Sequence, residues 1–240
     1  MKKTLCFDFG NSRYKCGVME AGFFKKEIIL DGSSEEINHI LEVEKPEKTI
    51  LSSVVRHDEK IEEILAAGSS FHKVTYQSKM DISVPSGQEK TVGSDRWAML
   101  AGAMNLFPKQ HNLIIGLGSC ITFNFINKFN QFLGGSISPG LNMRLKSLQH
   151  YTAQLPLVEP DWNFPLIGYD TRTNILSGVI GGMSKEIDGI VDEYKVKYNK
   201  FNVLLTGGDL PFFVPHIKNK IFADPYLIYK GLYFISEKNA

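Results

Sequence analysis

Phe7-Asp8-Phe9-Gly10-Asn11-Ser12 decides how the rest of the chain reads. An apolar run, Leu5-Cys6-Phe7, leads into it, and a second, Cys16-Gly17-Val18-Met19, follows. The pattern is strand, tight turn, strand. Gly and Asn tolerate positive φ and Ser can bond nearby backbone, so Gly10, Asn11 and Ser12 suit a hairpin tip. Backbone N–H groups and a hydroxyl at such a tip can face a phosphate. Asp8 stands at the rim, where it could hold a metal or its water shell. Lys15 follows, able to place a charge near phosphate oxygens. The same residues also describe an ordinary hairpin with an exposed Asp, so the rest of the chain has to discriminate.

The chain has 240 residues, a formal net charge of +1 and a 43% hydrophobic fraction, enough for one large domain or two small ones. Balanced charge gives no electrostatic reason to expect nucleic acid or an anionic membrane as a partner. No apolar run is long enough to span a bilayer. The N-terminus enters a short strand containing Asp8 instead of the apolar stretch and cleavage site of a signal peptide. Cys6, Cys16 and Cys120 are odd in number and form no CxxC pair, as expected of buried thiols in a reducing cytoplasm. No Cys/His spacing matches zinc.

After the hairpin, residues 23–30 read as a third strand. A helix over 35–43 carries Ile37, Ile40 and Leu41 at helical spacing and ends before Pro46. A strand over 49–55, a helix over 58–67 and a short strand over 71–76 follow. A polar loop over 77–91 leads to Gly93-Ser94-Asp95-Arg96, which opens a helix running to about residue 107. Free N–H groups at that helix start can face an anion, with Asp95 and Arg96 in the first turn.

The second half begins as the first did. Leu113-Ile114-Ile115 is apolar, Gly116-Leu117-Gly118-Ser119 is a turn, and residues 121–126 and 131–137 are two further strands. A helix over about 141–149 comes next. Three strands and a helix thus occur twice, a repeat of architecture more than of residues. Residues 170–194 read as one long helix with Ile175, Val179, Met183, Ile187 and Val191 four apart. A strand over 202–205 ends at Thr206-Gly207-Gly208-Asp209, and a helix over 225–237 closes the chain. Three Gly-rich turns at strand ends, able to converge on one nucleotide, fit a duplicated α/β fold of the actin-like ATPase, ribonuclease H-like kind. The expected division is 1–107 and 108–240.

At this point the sequence resembles the type III pantothenate kinases over nearly its whole length. Asp8-Phe9-Gly10-Asn11-Ser12 through Lys15 resembles that family's first phosphate motif. Gly93-Ser94-Asp95-Arg96 matches its Gly-x-Asp-Arg motif. Gly134-Gly135-Ser136-Ile137-Ser138-Pro139-Gly140, Thr152-Ala153-Gln154-Leu155-Pro156 and Thr206-Gly207-Gly208 follow in the family's order. The resemblance implies an ATP-dependent kinase that phosphorylates the primary alcohol of pantothenate, the first step toward coenzyme A. It implies that Asp8 positions Mg²⁺ directly or through water. Gly10, Asn11, Ser12, Lys15 and Ser119 would cradle phosphates, with Gly207 and Gly208 on the adenine side. Asp95 would accept the hydroxyl proton, and Arg96, in its motif with Gly93 and Ser94, would pair with the pantothenate carboxylate. Thr171 sits where the family has a substrate-binding Thr. The family builds its pantothenate pocket at a dimer interface, so a homodimer is expected, with the 170–194 helix a candidate for it.

Three positions depart from the family pattern. Gly116 stands where an Asp is associated with a monovalent cation, K⁺ or NH₄⁺. Asn124 stands where an Asp is common. Ser86 stands where a Tyr contacts pantothenate. Besides the pantothenate kinase reading, these leave two others: a kinase for another small hydroxy acid, and a weak nucleotide-binding paralogue acting as a regulatory factor.

Overall fold

The computed structural model describes residues 2–239. Strand β1 (Lys3–Phe9) forms a hairpin with β2 (Tyr14–Glu20), and β3 (Phe23–Leu30) continues the antiparallel meander. Helix α1 (Ser34–Glu44) follows. Ser33 Oγ caps its start by accepting from Glu36 N, and Lys45 ends it in the left-handed conformation before Pro46. Strand β4 (Lys48–Ser53) returns parallel to β1, and after α2 (Glu59–Gly68) strand β5 (Ser70–Lys73) lies parallel to β4. Both strands stop short of the expected ends, at Ser53 and Lys73. The sheet order is β3-β2-β1-β4-β5.

Alternation along β1 sorts its side chains by face. Leu5, Phe7 and Phe9 enter a core with Ile37, Ile40, Ile61 and Leu65 of α1 and α2. Cys6 and Asp8 therefore point to the opposite face. Two helices cover that face: α3 (Ser94–Leu106) and the last helix.

The second half repeats the plan with β6 (Asn112–Leu117), β7 (Cys120–Ile126), β8 (Phe132–Pro139), α4 (Leu141–Tyr151), β9 (Asn202–Thr206) and the two-residue β10 (Phe222–Ala223). Its sheet order is β10-β9-β6-β7-β8. Read from the other edge, this is the order of the first sheet, strand for strand. The duplication is thus one of topology.

The expected long helix over 170–194 is not one helix. It consists of α5 (Thr171–Leu176), a π-helical stretch (Ser177–Gly181) and α6 (Gly182–Lys197). Gly178, Gly181 and Gly182 weaken helical continuity there, and i→i+5 bonding inserts a widened turn. The expected apolar residues are nevertheless buried, from Ile175 to Val191. A short helix, α7 (Leu210–Phe213), has no counterpart in the sequence reading. The closing helix α8 (Leu227–Asn239) begins two residues later than expected.

The chain packs as two compact units. One comprises residues 1–112, 124–134 and 226–240; the other comprises 113–123 and 135–225. Within the first, α8 packs on α3 at backbone range. A Cβ on Gly231 would lie 1.8 Å from the Ala98 carbonyl oxygen, and one on Gly102 would lie 2.6 Å from that of Leu227. No described helix is long and apolar enough to cross a membrane. The three cysteines are unpaired; Cys6 and Cys16 are buried and Cys120 is half-buried.

Gly231→Ala tests the close approach of α3 and α8. Two backbones must separate, at a cost of about 2–3 kcal/mol, so the urea midpoint should fall clearly. An unchanged midpoint would show that the helices are free to shift.

Candidate active site

The first unit carries Asp8, the hairpin tip, Lys15 and the Gly93–Arg96 turn. The strand register sets Asp8 opposite Lys15 on β2 and beside Ser52 on β4. Lys15 Nζ also lies 3.5 Å from Glu27 Oε2, and the Tyr229 hydroxyl donates to that carboxylate oxygen at 2.7 Å. The tip closes with Gly10 N donating to Arg13 O at 3.1 Å. Contrary to the expected turn chemistry, none of Gly10, Asn11 and Ser12 has positive φ. A Cβ on Gly10 would meet only Arg13 O, at an ordinary 3.5 Å. The fold itself therefore does not demand glycine there, and a bare backbone at an exposed tip is what close approach by a ligand needs.

The turn before α3 is tied to the end of β4. Ser52 Oγ donates to Ser94 Oγ, and Ser94 Oγ donates to Ser53 O, both at 3.0 Å. The Ser94 hydroxyl is thus turned into the protein. Asp95 Oδ1 accepts from Arg96 N at 2.8 Å. A Cβ on residue 93 would come within 2.6 Å of that oxygen, so a side chain there would displace the Asp95 carboxylate from this position.

Asp8 and Asp95 are close enough for their charges to oppose each other. Burial, then the Asp95 charge, pushes the Asp8 carboxyl up to about 7, against the pull of Lys15. Burial also raises Asp95, with the Arg96 backbone bond and charge working against it. A pair of half-buried carboxylates that repel each other is a donor set that a divalent cation relieves. The residues therefore fit a divalent cation such as Mg²⁺. Among the described residues no group of three or more His, Cys, Asp or Glu could hold a metal alone, so phosphate oxygens or water would complete the shell.

Arg96 is held from two sides. Its Nε donates to Asn124 Oδ1 at 2.6 Å, and its guanidinium lies over the Phe132 ring, 5.3 Å from the centroid. Trp97 packs edge-on against the same ring. With Nε occupied, the paired Nη groups are left to meet a carboxylate. Asn124 is fully buried and neutral, so it orients Arg96 without cancelling its charge. The sequence reading treated Asn124 only as a lost charge and missed Phe132. Ser86 lies exposed in the 77–91 loop beside Gly87, so the aromatic surface near Arg96 comes from Phe132 and Trp97.

In the second unit, Gly116 and Leu117 belong to β6, and the expected four-residue turn shrinks to Gly118 and Ser119. Gly140 N donates to Ser119 O at 3.1 Å. Gly207 has φ +106°, and a Cβ there would be 2.2 Å from the Leu117 carbonyl, which accepts from Asp209 N. Gly207 is therefore fixed by the fold, whereas Gly208 has nothing within 4 Å of a Cβ position. Thr171 belongs to neither of these turns. It is exposed at the start of α5, whose cap is the reciprocal Asp170–Thr173 box. It lines a cavity of about 590 Å³ with Arg144, Ser147, Leu155, Asn174 and Val179.

A family model described as type III pantothenate kinase matches residues 4–193. The chain belongs to the type III pantothenate kinase family. Membership makes it an ATP-dependent kinase. A type III pantothenate kinase of Flavobacterium johnsoniae is 36% identical, covering 95% of both chains. One of Porphyromonas gingivalis is 32% identical over the full length of both. Among solved structures, a conserved Baf family protein from Campylobacter jejuni superposes with a TM-score of 0.63 at 22% identity, covering 98% of each chain. A glucokinase from an Antarctic psychrotroph does so with 0.51 at 8%, covering 99% of each. These two likenesses bear on the fold, and with the repeated sheet order they establish the duplicated actin-like architecture.

The raised Asp8 carboxyl has a consequence for stability. An unfolded Asp titrates near 3.8 and the folded one near 7, so across that window the folded protein keeps a proton that the unfolded chain releases. Metal-free stability attributable to this group falls as pH rises to 7, by at most on the order of 4 kcal/mol. Asp8→Asn should therefore stabilise the metal-free protein at pH 8, with the gain shrinking toward pH 5. A thermal melt showing no gain, or the same gain at both pH values, contradicts the assignment.

Proposed function

We propose that this chain transfers the γ-phosphoryl group of ATP to the primary hydroxyl of pantothenate, giving 4′-phosphopantothenate for coenzyme A synthesis. The observation that carries the site assignment is that Asp8, Asp95 and Arg96 meet in one unit with distinct surroundings. Asp8 faces Lys15 and the bare hairpin tip, the phosphate side. Arg96 faces a neutral amide and an aromatic ring, the side suited to a small carboxylate with an apolar body. Asp95 lies between these functions in sequence and in space.

Phosphoryl transfer demands in-line positioning and dispersal of charge more than covalent chemistry from the protein. Arg96 anchors the pantothenate carboxylate through its Nη groups. Asp95 accepts a hydrogen bond from the primary hydroxyl and takes its proton late, as negative charge leaves the nucleophile. The bare backbone at Gly10 lets phosphate approach the tip, where Asn11 and Ser12 donate to its oxygens, and Lys15 adds a positive charge. Bound Mg²⁺ would supply charge neutralisation on the transferred phosphoryl group, held by Asp8 directly or through water. From the second unit, Ser119 is assigned to phosphate, and Gly207 and Gly208 to the adenine side. Turnover is proposed to be indifferent to K⁺ and NH₄⁺. Gly116 offers no carboxylate, and the neighbouring Leu117 carbonyl is engaged by Asp209 N.

We also propose a homodimer in which Thr171 serves the pantothenate pocket. In support, Leu166, Ile167 and Tyr169, just before α5, are 88%, 84% and 80% exposed, an unusual run for a surface left to water. No nucleic-acid partner is proposed.

Product formation followed by mass spectrometry tests the reading. Wild-type protein with ATP and Mg²⁺ should yield phosphopantothenate at a rate independent of added K⁺ or NH₄⁺. Asp95→Asn should lower kcat by about 10²- to 10⁴-fold. Arg96→Lys should chiefly raise KM for pantothenate, because an ammonium cannot reproduce the held fork. Folded, ATP-binding protein that makes no product would favour a different hydroxy acid or a nucleotide-binding regulator, the readings that Gly116 and Ser86 leave open.

A further inference from the structure

His57 sits behind the site, outside every motif that marks it. It follows β4 by four residues, and its side chain is only 6% exposed. Its Nε2 lies 2.9 Å from Glu62 Oε1 on α2, and its Nδ1 lies 3.0 Å from Ser53 Oγ at the end of β4. A carboxylate can only accept, so the Nε2 hydrogen goes to Glu62. Glu62 is fixed in turn by Lys73 Nζ at 2.6 Å. The imidazole ring also meets Phe9 edge-on, with centroids 5.3 Å apart.

Each end of this chain of contacts touches one half of the reaction. Phe9 lies between Asp8 and Gly10, and its carbonyl accepts from Val54 N, the residue after β4. Ser53 carries the carbonyl to which Ser94 donates, one residue before Asp95. A buried ring bonded to α2 thus braces both the phosphate hairpin and the substrate turn. The Ser-His-Glu order resembles a hydrolytic triad, but the Ser53 hydroxyl donates its hydrogen to Val55 O at 3.0 Å and not to the ring. The arrangement is a brace.

We propose that His57, pinned by Glu62, is a positioning residue that fixes the separation and orientation of Asp8 and Asp95 for phosphoryl transfer. The proposal rests on the catalytic assignment of Asp95. Displacement of a reacting group by less than an ångström is enough to slow transfer strongly, whereas ATP binding at the hairpin tip needs no such precision.

The test is steady-state kinetics on the full-length chain. His57→Phe keeps a ring against Phe9 and removes both polar contacts. Its kcat should fall by about tenfold or more, with KM for ATP within about twofold of wild type. Glu62→Ala should lower kcat in the same way, and Glu62→Gln, which retains an oxygen acceptor for Nε2–H, should restore most of it. A purely structural role would not produce that rescue. A folded His57→Phe variant with wild-type kcat overturns the proposal. So does Glu62→Gln being no better than Glu62→Ala, a comparison that decides the matter even where His57→Phe does not fold. Asp95→Asn is measured alongside. If it retains turnover, the assignment of Asp95 fails; if it is inactive while the His57 and Glu62 variants are normal, only the brace fails.

Discussion

Two carboxylates are held close together with too little water around them. Asp8 and Asp95 oppose each other electrostatically, and burial raises both. Such a pair is unfavourable by itself and is relieved by a cation. Much of the first unit can be understood as what enforces this. Alternation along β1 buries Phe7 and Phe9 on one face and so turns Asp8 to the other. The β1–β4 register brings Ser52 beside Asp8, and Ser52 bonds Ser94, the residue before Asp95. Glycines at 102 and 231 let α3 and α8 approach closely over that face.

The same logic separates residues that serve the fold from those left to a ligand. Gly207 is imposed by its backbone conformation and by the Leu117 carbonyl. Gly10 and Gly208 are imposed by neither, and the proposed function gives each a role in binding. Arg96 shows the corresponding economy for a cation. One nitrogen is spent on Asn124, the flat face rests over Phe132, and the remaining edge keeps its full charge.

Local features were legible in the sequence. The β1–β2 hairpin, the start of α1 and the start of α3 follow from neighbouring residues, and the structure places them within a residue or two. The duplicated architecture was also legible, because three strands and a helix leave a periodicity even where residues differ. What was not legible is set by distant partners. Asn124 bonds a residue 28 positions away, Ser94 one 41 positions away, and His57 joins two secondary-structure elements with no pattern to announce it. The 170–194 stretch misled for a different reason. Its four-residue apolar spacing is real, but glycines at 178, 181 and 182 let the backbone widen without disturbing which side chains are buried. The hairpin tip is a similar case, since glycine and asparagine permit positive φ without requiring it.

The central claim is that Asp8 is held in a charged, dehydrated setting that it could not tolerate in an ordinary hairpin. A ¹³C NMR titration of aspartate-labelled, metal-free protein measures this directly. The account predicts one carboxyl signal that titrates at about 7 and is missing from the Asp8→Asn spectrum. If instead the Asp8 carboxyl titrates below about 5, as a solvated aspartate does, the two carboxylates are not coupled and the account of the site is wrong.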